Sequence, residues 1–219
     1  MSQRIAELKA WLHDDLRLTA STIVPASSDA SFRRYFRISG DRESYIAMDA
    51  PPDKAACRPF MAVASAFARL GLNVPRILES DIRRGFLLLS DLGSEHYLQA
   101  LNGQTAERLY GDAMGALRLL HTAPLEGANL PDYDRSLLFQ EMNLFRDWYL
   151  ERHLGLSLSE VSDEVVQQSF TILADEALNQ PRVWVHRDYH SRHLMVTTVH
   201  NPGILDFQDA VIGTVTFAL

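Results

Sequence analysis

Cysteine is the scarcest chemistry-bearing residue in this chain. Cys57 is the only one, which excludes an internal disulfide and any zinc site built from several cysteines, and suits a reducing cytosol. No apolar run approaches the ~20 residues that a membrane-spanning helix needs. The opening stretch MSQRIAELKAWLHDD is too charged and interrupted for a signal peptide. An excess of positive charge is absent too. With 21 basic against 28 acidic side chains the net charge is −7, so a nucleic-acid-binding face is not expected, although a local basic cluster can still hold a phosphate. Only Lys9 and Lys54 are lysines, and the remaining basic residues are arginines. Neither G-x-x-x-x-G-K-[ST] nor G-x-G-x-x-G occurs, which removes P-loop and Rossmann nucleotide sites. No internal repeat or low-complexity segment is visible. These absences leave a cytoplasmic protein whose expected partners are small molecules, not nucleic acid or a membrane.

What is present is a chain of 219 residues, 47% of them hydrophobic, enough for one large domain or two small lobes. Residues 3–16 place Ile5, Leu8, Trp11 and Leu12 at helical spacing. PASSDASFRRYFRIS reads as a loop entering a strand. ESYIAMDAPP reads as a second strand stopped by Pro51-Pro52, the pair forming a hairpin around Gly40-Asp41. Residues 54–71 read as a helix with Phe60, Val63, Phe67 and Leu70 on one face and Gly71 as its stop. VPRILES and GFLLLSDLG read as two further strands. Beyond Gly93 the period becomes helical over 104–122, 137–152 and 163–178, and strand-like runs return at 182–185, 194–198 and 203–206. Strands first and helices later predict an α+β chain of two lobes joined near residues 90–94.

Two carboxylates each follow a short apolar run: Asp188 in VWVHRDYHSRHLMV and Asp206 in NPGILDFQDA. Acids held at the end of such runs can bind a divalent metal through hard oxygens, or accept a proton from a substrate hydroxyl. Taken singly, each fits a turn cap or a hairpin closure equally well. Their combination is more specific. His186-Arg187-Asp188, a marked position five residues later at His193, and the later Asp206-Phe207 pair follow the kinase catalytic loop and metal-binding segment.

With those segments, SSDASFRRYFR, MDAPP, CRPF, GFLLLSDLG, HRDYHSRHLM and LDFQDAVIG make the chain resemble the aminoglycoside phosphotransferase and choline kinase superfamily. Within it the wording is similar to the bacterial anomeric kinases that phosphorylate N-acetylmuramate and N-acetylglucosamine in cell-wall recycling. The resemblance implies a protein-kinase-like bilobal fold, with an N-terminal nucleotide-binding lobe over 1–89, a hinge over 90–94 and a partial catalytic lobe over 95–219. It implies ATP and Mg2+ as cofactors, Asp188 as catalytic base, and Asp206 with His193 at the metal. Ser28, Asp29, Ala30 and Ser31 would cover the nucleotide phosphates, where small residues let backbone N–H groups approach an anion. The segment LLLSDLG, with Asp91, would be the hinge that meets the base. His186 and Arg187 would support the loop. Glu141, Asn143 and Arg146 stand as weaker candidates for sugar contact, with Asp209 a candidate either at the metal or at the sugar.

Three features depart from the pattern. The strand that carries a lysine in protein kinases offers Met48 here, so charge for the phosphates must come from elsewhere, with Arg33, Arg34 and Arg37 as candidates that cannot all face one way on a strand. His193 stands where the family has asparagine. Imidazole is a nitrogen donor poorly matched to magnesium, so metal binding and turnover are expected to be weakened. A transition-metal site from His190 and His193 with Asp206 is not expected, because loop histidines seldom converge without a third clear ligand. Finally, the chain stops 13 residues after Asp206 in the apolar AVIGTVTFAL, which predicts a truncated helical lobe with this segment uncovered. The readings left open are a kinase for another small alcohol, such as an aminoglycoside, and a nucleotide-binding remnant without catalysis.

Overall fold

The computed structural model describes every residue except 1–2, 20–21, 28–31, 41–42, 54–56 and 219. Its elements run α1 (Gln3–Ala10), β1 (Thr22–Ser27), β2 (Arg34–Ser39), β3 (Ser44–Asp49), α2 (Cys57–Arg69), β4 (Ile77–Asp81), β5 (Phe86–Ser90), α3 (Tyr97–Ala100), α4 (Ala106–Thr122), α5 (Arg135–Leu144), α6 (Glu160–Leu178), β6 (Arg182–Val185), β7 (Leu194–Met195), β8 (Gly203–Ile204) and β9 (Val211–Thr214). Two compact units emerge, and neither is continuous in sequence. One comprises Met1–Ala116 with His190–Asp209, the other Leu117–Tyr189 with Ala210–Leu219.

The first unit is built on an antiparallel sheet of order β1-β2-β3-β5-β4. Strand alternation gives it two chemically different faces. On one face Phe36, Ile38, Ala47, Phe86 and Leu88 pack against Leu8, Trp11 and Leu12, with the Trp11 and Phe86 rings 5.7 Å apart. Burying large side chains of this kind stabilises by roughly 1.5–3 kcal/mol each. Helix α1 passes into a π-helical turn, Trp11–Asp15, which closes that layer. The other face carries Tyr35, Arg37, Ile46 and Leu89 and lines a cleft. The stretch before β2, expected to be loop, includes β1. Pro25 obscures it in the sequence, yet β1 is an edge strand, where a residue lacking an N–H is tolerated. Gly85 is fixed by the fold: its φ is +76° in the β4–β5 turn, and a Cβ there would lie 1.9 Å from the Ala50 carbonyl oxygen.

At the end of β3 the carboxylate of Asp49 is fully buried. Arg4 from α1 reaches it through Nε at 3.1 Å and also through Nη2, which donates to the Arg84 carbonyl at 2.8 Å. Arg34 from β2 pairs with the other carboxylate oxygen. A buried charge persists only when its partners replace water, and these two guanidinium groups do so while tying α1 to the sheet.

In the second unit the Asp134 carboxylate caps α5 by accepting the Leu137 N–H at 2.9 Å, and Ser159 caps α6 by accepting the Ser162 N–H. The helix expected over 137–152 is not uniform: α5 ends at Leu144 and a π-helical segment follows over Phe145–His153. Strands β6 and β9 pair antiparallel, and all four residues of β9 are buried. The segment expected to lie uncovered is therefore largely packed: its partner strand is 26 residues earlier in the chain at its first register pair, Val185↔Val211, a relation no local pattern reveals. The runs expected as strands over 194–198 and 203–206 shorten to β7 and β8, which pair with one another in the first unit.

Asp49→Asn is expected to destabilise the protein by about 2 kcal/mol in urea unfolding. That is below the roughly 3–5 kcal/mol for breaking a fully buried pair, because both arginines still reach water.

Candidate functional site

The cleft of the first unit has a volume of about 580 Å³, within the usual range for small-molecule sites. Ala26 of β1, Tyr35 and Arg37 of β2 and Ile46 of β3 form one wall. Leu89 and the segment Ser90–Ser94 form its side, and Arg192, His193, Leu205, Asp206 and Phe207 close the far end. The lining combines apolar side chains, Ile46, Leu89, Leu205 and Phe207 among them, with the charged Arg37, Asp91, Arg192 and Asp206.

At the near end Arg37 holds Asp91 with both carboxylate oxygens, Nε at 2.7 Å and Nη2 at 3.1 Å, and also donates to the Gly93 carbonyl. The Gly93 N–H in turn donates to Asp91 at 2.9 Å. Burial pushes the Asp91 carboxyl up, but Arg37, the Gly93 N–H and Ser44 outweigh it and hold it below the ordinary carboxylate range. Arg37 is thus engaged within the protein.

The far end is built around Phe207. Its ring is fully buried, 5.0 Å from Phe60 and 5.8 Å from Phe67 of α2. Anchoring this ring sets the preceding residue: Asp206 adopts φ +57° and leaves its carboxylate half-buried at the cleft. Gln208 donates to Asp206 Oδ1 at 2.6 Å, and His193 Nε2 lies 3.4 Å from Oδ2. The backbone joins the two loops, since the Leu205 N–H donates to the His193 carbonyl at 2.9 Å. Asp206 and His193, paired by the sequence reading, are therefore neighbours. The His190 and His193 rings stand 4.1 Å apart, yet among the described residues no group of three His, Cys, Asp or Glu side chains is placed to hold a metal ion.

Asp188 belongs to the second unit, at the end of β6, where its side chain is exposed. His186 is fully buried and accepts the Asp188 N–H on Nδ1 at 3.3 Å, which fixes the peptide that bears the acid. Arg187 adopts φ +75°. Its guanidinium pairs with Glu141 and lies 5.8 Å from the Tyr133 ring. Tyr133 donates to the same Glu141, and burial together with that bond pushes its hydroxyl far above its ordinary value. Glu141 thus supports the loop through Arg187. Arg146 is spent on Asp163 at 2.6 Å and Asp147 at 3.0 Å, and Asn143 accepts from Gln167 at 3.5 Å.

Ser28, Asp29, Ala30 and Ser31 lie outside the described residues. Arg34 points to Asp49 on the face away from the cleft. Arg33 is close enough to Cys57 to act on its thiol, which burial nevertheless pushes up, in keeping with an inert buried side chain. Met48, in the strand position of the kinase lysine, is fully buried between Tyr35 and Leu87. Sequence reasoning missed Arg192 and His96 at the cleft end. Arg192 sits inside the very loop that was read, and only the position one residue later carried a signal.

The sheet, its cleft and the two acidic segments define the protein-kinase-like fold of small-molecule phosphotransferases. The chain belongs to the phosphotransferase enzyme family, which it matches over residues 22–218. It is 45% identical over 98% of its length to the N-acetylmuramate/N-acetylglucosamine kinase of Pseudomonas putida, and 40% identical over 99% to that of Neisseria meningitidis. It spans 66% and 65% of the length of those relatives. Among solved structures it is similar to the GDP and kanamycin complex of the aminoglycoside phosphotransferase APH(2")-IIIa, at TM-score 0.70 and 13% identity, covering 96% of this chain and 74% of that one. ADP-bound APH(2'')-Ib gives TM-score 0.67 and 14% identity, with 95% and 72% covered. These establish a shared fold.

Because the Asp91 carboxyl is held low in the folded protein, it contributes stability above its unfolded value of about 3.9, and that contribution fades as pH falls through the lower folded value. Thermal unfolding of Asp91→Asn across pH 2–7 is expected to fall below the parent near neutrality, with the gap beginning to narrow only as pH drops below about 4.

Proposed function

We propose that this chain transfers the γ-phosphoryl group of ATP to the hydroxyl of a small sugar, the anomeric hydroxyl of N-acetylmuramate or N-acetylglucosamine, in the cytoplasm. The observation that carries this reading is the cleft. Its lining offers the apolar Ile46 and Leu89 to a base, the segment Ser90–Gly93 to the edge of that base, and the Asp206 carboxylate to the phosphates and their cation. The 45% identity to named amino-sugar kinases supports the acceptor. In this reading residues 1–89 carry the nucleotide, 90–94 form the hinge and 95–219 carry the acceptor chemistry.

The reaction asks little covalent work of the protein. Asp188 accepts the acceptor hydroxyl proton as the oxygen attacks the γ-phosphorus, the bond from that phosphorus to the β,γ-bridging oxygen breaks, and ADP leaves with the electron pair. The exposed carboxylate of Asp188, on a peptide pinned by buried His186, suits a base that must meet substrate. Burial of Phe207 holds Asp206 in place without reorganisation.

The family implies magnesium, and the donor set answers in two ways. The Asp206 carboxylate is a hard oxygen donor that fits an ion held by one or two carboxylates plus substrate phosphates, whereas the His193 imidazole does not. Bound through Asp206, magnesium would neutralise phosphate charge. His193 beside Asp206 also favours a second reading, a nucleotide-binding remnant with weak or no turnover.

Thermal shift with ATP, with and without magnesium, separates these readings when combined with an ADP-release assay on N-acetylmuramate and N-acetylglucosamine. A magnesium-dependent shift with turnover supports the kinase, a metal-independent shift without turnover supports the remnant, and no shift in folded protein counts against both. Asp188→Asn is expected to cut turnover by at least 100-fold while leaving the ATP shift intact. His193→Asn is expected to raise both magnesium dependence and turnover, and an unchanged rate in a folded variant refutes the mismatch assigned to the imidazole.

A further inference from the structure

We infer that Arg192 is the anion-binding residue of the cleft, supplying the positive charge that Met48 cannot. The inference rests on the reading of this cleft as a phosphoryl-transfer site. A triphosphate needs cationic neighbours, and the two other arginines with described commitments are unavailable to it. Arg34 is turned to Asp49 on the opposite face, and Arg37 is held by Asp91 and Gly93. Arg33 acts on the Cys57 thiol and is not among the residues that line the cleft. Arg192 lines the cleft, is exposed, and has no acidic partner within ion-pair distance among the described residues. It adjoins His193 and shares the cleft end with Asp206.

Its backbone is fixed on both sides. A carbonyl only accepts, so His96 Nδ1 donates to the Arg192 carbonyl at 2.8 Å. The Arg192 N–H donates to His190 Nδ1 at 3.3 Å, and the preceding Ser191 carbonyl accepts the Leu98 N–H at 3.0 Å. The long side chain therefore starts from a rigid peptide, which lowers the ordering cost of closing its planar fork on paired oxygens. His96, which the sequence did not mark, acts here as a positioning residue. The ligand chemistry is an oxyanion presenting two oxygens to the fork, a nucleotide phosphate or the carboxylate of an acidic acceptor such as N-acetylmuramate.

The test is calorimetric titration of the folded parent, Arg192→Gln and Arg192→Lys with four probes: ATP, adenosine, N-acetylmuramate and N-acetylglucosamine. Each is run with magnesium and again in EDTA. For the phosphate source, Arg192→Gln is expected to weaken ATP about tenfold or more, in EDTA as well as in magnesium, and to leave adenosine unchanged. Arg192→Lys should recover part of the loss, since it restores charge without the fork. For the carboxylate source, the same loss appears on N-acetylmuramate and spares N-acetylglucosamine. Either pattern supports the inference and says which anion is held. If the parent binds ATP and Arg192→Gln leaves all four affinities unchanged, Arg192 has no such role while the nucleotide reading stands. If the folded parent binds none of the four, that reading falls and this inference with it.

Discussion

The period-two alternation of β2 is the constraint on which the rest of the first unit depends. A strand offers successive side chains to opposite faces, so Phe36 and Ile38 go to the layer beneath α1 while Tyr35 and Arg37 go to the cleft. Slipping this register by one residue would bury Arg37 and expose the aromatic layer. The two arginines of β2 therefore separate into different tasks. Arg34 ties the sheet to Asp49 and thereby to α1, Arg37 ties it to Asp91 at the cleft side, and neither remains as a loose surface charge.

Charge placement follows the same logic throughout the site. Acids that stabilise the fold are covered and paired, as Asp49 and Asp91 are. Acids proposed for chemistry stay accessible and are held through the backbone or through a neighbour. Asp206 is aimed by the buried Phe207 ring, and Asp188 by the bond from its N–H to His186. On Glu141, one of the residues read for sugar contact, Arg187 and Tyr133 both converge. The net charge of −7 does not describe the cleft itself, whose lining includes Arg37 and Arg192.

Much of this was legible in the residues. The amphipathic start, the hairpin, the strand leading to Asp91 and the later helices follow from periods of 3.6 and 2, with Gly and Pro as punctuation. The pairing of His193 with Asp206 was legible from motif order. Other features were not. β1 hides behind Pro25, whose tolerance depends on the strand lying at a sheet edge. The switch from α to π winding at Phe145 leaves the apolar period intact and so carries no local mark. Arg192 gave no signal because an arginine in a polar loop looks the same whether or not it faces a cavity.

The sequence by itself determined the class of fold, the family and the two acidic segments, since these rest on local periodicity and on short motifs whose residues are chain neighbours. Only the tertiary structure decided which arginine meets which acid and which charge is left facing the cleft. It also decided that the apolar run after Asp206 is covered by β6. The physical reason is range: hydrophobic spacing is written along the chain, whereas an ion pair such as Arg4 with Asp49, or Arg37 with Asp91, joins positions 45 and 54 residues apart. Such pairs exist only after the backbone has brought them within hydrogen-bonding distance.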